Sequence, residues 1–114
     1  MITIDKPEFI KVFDCSTGHI NEQDDSLLGL DRRNLGTPDP VLFQPLIVQE
    51  LYGGARLIST WDGDDFAELN ETMLRFGYTQ ELFNLLEYAH SQGCGYLKLD
   101  RDGPLYNDVP QFEW

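Results

Sequence analysis

The stretch TQELFNLLEYAHSQGCGYLKL, residues 79–99, decides the fold class. Thr79 offers a hydroxyl where a helix needs an N-cap, and Leu82, Leu85, Leu86 and Ala89 follow at the spacing of one helical face. Gly93 suits the residue that ends such a helix, because it enters the left-handed region without steric penalty. Tyr96, Leu97, Lys98 and Leu99 then alternate as a strand does, with Leu97 and Leu99 inward. Asp100, Gly103 and Pro104 turn the chain away.

Working toward the N-terminus, Phe66, Leu69, Met73 and Phe76 form one apolar stripe of a helix over residues 64–76, with Asp64, Glu68 and Glu71 on the opposite face and Gly77 as its stop. Gly53 and Gly54 separate the apolar Leu46, Ile47, Val48, Leu51 and Tyr52 from Ala55, Leu57 and Ile58, the pattern of a β-hairpin. Gly36, Pro38, Pro40 and Pro45 make residues 34–45 a surface loop. Glu22, Asp24 and Asp25 precede Leu27, Leu28 and Leu30, placing negative charge in the first turn of a short helix over residues 21–30. Phe9, Ile10, Val12 and Phe13 predict a strand that ends at Asp14, with Ser16 or Thr17 capping the turn or helix that follows. The order β, α, β-hairpin, α, α, β implies an α+β fold. Its sheet is small and antiparallel or mixed, with two to three helices packed on one face and one domain over residues 1–114.

The 114 residues carry 8 Lys and Arg against 20 Asp and Glu, a formal net charge of −12. That surplus argues against direct binding to nucleic acid or to anionic lipid. A hydrophobic fraction of 41% with seven Phe, five Tyr and two Trp is too rich for a disordered acidic tail. Residues 1–5 lack the basic and apolar segments of a secretory leader, and no apolar run reaches the length of a membrane span, so the expected location is cytoplasmic. Cys15 and Cys94 stand far apart without a CxxC pattern and read as ordinary reduced thiols.

Candidate chemistry is sparse. Cys15, Ser16, Thr17 and His19 place a thiol, hydroxyls and an imidazole close together, but no Arg follows before Asp31 to bind a phosphate. His90 falls in the last turn of the second long helix, where a cation suits the dipole. Asp62, Asp64 and Asp65, and likewise Asp100 and Asp102, resemble hard-cation loops without the ligand spacing of an EF-hand; they read as caps and turns, and no metal or cofactor is expected. The P-loop, dinucleotide, nucleophile-elbow and zincin patterns are absent from the sequence.

Three segments carry a family resemblance. STGHI at residues 16–20, LDRDGP at residues 99–104 and the ending VPQFEW at residues 109–114 resemble a family of small, acidic, uncharacterised bacterial proteins of plasmids and other mobile elements. That family shows Ser-Thr-Ala-His-Ile near its start, a Leu-Asp-Arg-Asp-Gly-Pro turn and a Leu-Pro-x-Tyr-Asp-Trp finish. Gly18, Val109 and Phe112 depart from it. The resemblance implies a fold and a genetic setting, and small acidic proteins in that setting often disarm host nucleases.

The leading expectation is therefore a non-enzymatic interaction protein of anti-CRISPR or anti-restriction type. Asp62, Asp64, Asp65, Glu68 and Glu71, with no basic residue between Thr60 and Arg75, would bind a basic host protein such as a nuclease or CRISPR effector subunit. A domain of about 34 Å spans roughly 20 phosphates of duplex, so the carboxylate count is comparable only if the groups cluster. Two alternatives stand beside it: an enzyme using Cys15 and His19 or the Asp100 and Asp102 loop, and a homodimer or larger homo-oligomer joined through Trp61, Phe112 and Trp114.

Overall fold

The computed structural model describes residues 1–30, 44–60 and 65–113. Four strands and three helices follow in chain order: β1 (Lys11–Ser16), α1 (Glu22–Leu28), β2 (Val48–Glu50), β3 (Arg56–Ser59), α2 (Phe66–Phe76), α3 (Gln80–Ser91) and β4 (Cys94–Asp100). The sheet order is β1-β4-β3-β2. β4 pairs parallel with β1 and antiparallel with β3, so the sheet is mixed and open. The fold is α+β, as the element order implied.

Register shows which face is covered. Phe13 and Cys15 lie opposite Leu97 and Leu99, and Ile58 opposite Leu97, so these side chains share one face. Cys15, Ile58 and Leu97 are fully buried on that face, while Tyr96, Lys98 and Leu57 on the other are half-buried. α3 packs on β4 through Leu82, Leu85, Leu86 and Ala89, the same stripe that the sequence marks. Each of the large apolar groups removed from water contributes roughly 1.5–3 kcal/mol before the entropy of ordering it is subtracted.

The caps explain the helix boundaries. Asp65 accepts from the Glu68 backbone N–H and starts α2 at Phe66, two residues inside the expected limit. Gly77 then adopts φ 116°, which a side chain at this position would resist, and sends the chain into α3. Thr79 accepts from Leu82 N–H at the start of α3. The hairpin glycines Gly53 and Gly54 have φ of 83° and 85°, as a tight turn requires. Its strands pair Val48 with Ile58 and Glu50 with Arg56.

Three boundaries differ from the sequence reading. β1 begins at Lys11 and runs to Ser16, leaving Phe9 and Ile10 exposed, because the pairing with β4 and not local β-propensity sets its register. β2 contains only three residues, and β4 extends beyond residues 96–99 at both ends. Of the expected loop at 34–45, residues 34–43 lie outside the described residues.

Candidate functional site

The two ends of the sequence meet. Residues 104–112 run back along the end of β1 and the 3-10 turn Thr17–His19. Ser16 N–H donates to Pro104 O at 2.9 Å, and Phe112 N–H donates to Gly18 O at 2.8 Å. Between these anchors sits His19, which is fully buried. Its Nδ1 donates to Pro110 O at 2.9 Å, and its Nε2 accepts from Tyr106 N–H at 2.8 Å. A carbonyl can only accept and an amide N–H can only donate, so these bonds fix a neutral imidazole with its proton on Nδ1. The STGHI and LDRDGP segments of the family resemblance thus form one constructed unit.

Gly103 makes the return possible. A Cβ there would lie 2.9 Å from Cys15 O and 3.1 Å from Asp100 O, both backbone atoms. Asp100 stiffens the same turn, since its Oδ1 accepts from Asp102 N–H at 3.0 Å and its carbonyl accepts from Gly103 N–H at 2.9 Å.

This geometry bears on the expected nucleophile. Cys15 is fully buried, and burial first, then the neighbouring Asp14, pushes its thiol up to about 12. A thiol held in that state supplies little thiolate near neutrality. With both His19 nitrogens engaged by backbone groups, the pair forms no nucleophile and base. Both cysteines are free and buried, as ordinary reduced thiols are. His90 is exposed at the end of α3, its ring 4.7 Å from that of Phe66.

The acidic set is dispersed among several tasks. Asp62 and Asp64 lie outside the described residues, as do Trp61 and Trp114. Asp65 is the α2 N-cap, Glu68 is exposed, and Glu71 pairs with Arg75 at 2.5 Å across one helical turn. Such an exposed pair contributes about 0.3–0.5 kcal/mol and is easily exchanged for another partner. Phe112 is half-buried against the 3-10 turn. Among the described residues, no three His, Cys, Asp or Glu side chains converge as a metal set.

The sequence reading missed two features. Asp24, fully buried, accepts from Thr79 N–H at 2.9 Å and from Thr79 Oγ1 at 2.6 Å, tying α1 to the start of α3. The second is a groove of about 490 Å³ between α3 and the returning C-terminal segment. Phe13, Tyr88 and Tyr106 supply its aromatic surface, and Glu81 and Asp108 supply carboxylates from its two walls. Phe13 and Tyr88 meet with ring centroids 5.2 Å apart at 61°, and Phe13 and Tyr106 stack at 5.4 Å. Tyr106 donates its hydroxyl to Asp14 O at 2.7 Å; burial foremost, then Cys15, Asp14 and Tyr88, raises its pKa. Tyr88 lies outside the α3 core stripe and is 52% exposed.

No helix among the described residues is long and apolar enough to cross a membrane. Neither a curated protein nor a solved structure matches the chain. Residues 12–114 match the family described as "Family of unknown function (DUF5983) C-terminal domain". That span takes in every strand and helix except the first residue of β1, and so the chain belongs to the DUF5983 C-terminal domain family.

Proposed function

We propose that the protein is a non-enzymatic, cytoplasmic binding module that docks its acidic surface on a basic, nucleic-acid-binding host protein. A nuclease or CRISPR effector subunit is the partner class, in the manner of a mobile-element inhibitor. The observation that carries this reading is where the negative charge lies. Among the described residues the ion pairs reach Asp25, Glu50, Glu71 and Asp100, while Glu68, Glu87, Asp102 and Asp108 are exposed. The surplus of 20 carboxylates over 8 Lys and Arg favours fast encounter with a cationic surface, an effect that weakens as salt rises. The buried state of Cys15 and His19 supports binding over catalysis.

The test is DNA cleavage by purified restriction nucleases and CRISPR effectors in the presence of the protein and of its Asp64→Lys, Glu68→Lys, Glu71→Lys variant. The proposal expects inhibition by the parent that the variant loses. Equal inhibition by both removes the α2 face from the interface, and cleavage unaffected by the parent across the panel rejects the inhibitor role.

A further inference from the structure

We infer that the groove between α3 and the C-terminal segment is a recognition pocket for an arginine side chain presented by a partner protein. This deepens the reading of the chain as a binder of cationic proteins and rests on it.

Three independent properties of the groove agree. Its volume, about 490 Å³, falls within the roughly 300–1,000 Å³ of small-ligand sites, which is ample for a guanidinium and its stem. Its surface is aromatic, and Tyr88 stays half exposed although its ring packs against Phe13. Its charge is of one sign: Glu81 comes from the first turn of α3 and Asp108 from the opposite wall, and no Lys or Arg lines it among the described residues. An aromatic face flanked by carboxylates is the environment a guanidinium favours, because the ring quadrupole attracts the cation while the carboxylates accept its N–H groups. Arginine fits better than lysine, since its planar head stacks on a ring and is less strongly hydrated. Leu85, Val109 and Pro110 supply apolar surface for the methylene stem.

The groove is also held open by construction. His19 fixes the wall that carries Tyr106, Asp108 and Pro110 through its two bonds to the backbone, and the Tyr106 hydroxyl ties the same wall to β1. A preformed site loses little ordering entropy when it is filled.

The test needs no knowledge of the natural partner. The peptide amide acetyl-Phe-Arg-Leu and its acetyl-Phe-Gln-Leu counterpart are titrated into the isotope-labelled protein and followed by NMR at Tyr88, Tyr106 and Val109. The inference expects the arginine peptide to shift these resonances and the glutamine peptide to bind about fivefold or more weakly, the size of a partly exposed cation–π contact. Tyr88→Ala, at an exposed position that leaves the core intact, and the Glu81→Gln, Asp108→Asn pair should each weaken binding similarly. Equal binding of both peptides would reduce the groove to a nonspecific apolar surface and overturn the inference. So would the absence of shifts, or shifts that follow protein concentration and reveal a second copy in the groove. The peptide titration reads the groove alone, whereas the Glu68→Lys and Glu71→Lys changes are read by nuclease inhibition, so failure of the pocket is separated from failure of the nuclease-inhibitor reading.

Discussion

The carboxylate of Asp24 reaches from α1 to bind both the backbone N–H and the hydroxyl of Thr79, the residue that caps α3. Thr79 then accepts from Leu82 N–H, so one buried acid positions the cap of the principal helix. Asp24→Ala leaves two donors without their partner in a buried site and should destabilise the fold by about 1–3 kcal/mol. Thr79→Ala should cost about 1 kcal/mol through the lost cap. In the double variant the two losses should sum to clearly more than the measured total, because they share an interaction. Urea denaturation of the four proteins checks this, and strict additivity would show that the contact carries no coupling.

At Gly103 backbone, not side chain, sets the limit. Gly103→Ala forces its Cβ against the Cys15 and Asp100 carbonyls, neither of which can move without disturbing the β1 and β4 pairing. The expected loss is about 1–3 kcal/mol, with a melting temperature lower by several degrees. Gly53→Ala meets no atom within 4 Å, so its smaller loss should come only from the positive φ of 83°.

His19→Ala should release residues 104–112 while leaving the sheet paired. Amide hydrogen exchange at Tyr106 is expected to accelerate by about tenfold or more, with exchange at Leu97 in β4 unchanged. His19→Gln, which retains one donor and one acceptor, should recover part of the protection. Uniform acceleration through β4 would instead mean that the imidazole supports the whole fold.

Alkaline pH should weaken the protein through Cys15. Its folded-state value is raised from 9.0 to about 12, so the folded chain keeps a proton that the unfolded chain gives up. The associated stability is fully present below pH 9.0 and is lost as pH rises toward about 12. Burial raises the Tyr78 hydroxyl as well, with the same sign. Unfolding free energies measured across this window should fall more steeply for the parent than for Cys15→Ala. Equal slopes would place the alkaline sensitivity elsewhere, and Tyr78→Phe tests the second group.

Much of the fold was legible because local signals and tertiary packing agree. The α3 stripe, the Thr79 cap, Gly77 and the Gly53, Gly54 turn each appear in the structure as their residue types require. The extent of β1 was not legible, since Phe9 and Ile10 have strong β-propensity but lie outside the pairing with β4. The groove was hidden for a related reason. Phe13, Tyr88 and Tyr106 come from three separated segments, and no spacing along the chain brings them together. Asp24 looked like one of several first-turn acids favourable to the α1 dipole, whereas its partner is 55 residues away.

The parallel pairing of β1 with β4 has a consequence for synthesis. During synthesis β1 emerges well before β4 and lacks its parallel partner until β4 follows, because so distant a contact cannot form earlier. Until then the Cys15 thiol, the His19 ring and the apolar flank of Phe13 are open to proteases and chaperones. A chain cut before residue 94 therefore lacks β4 and leaves the edge of β1 without the strand that covers it.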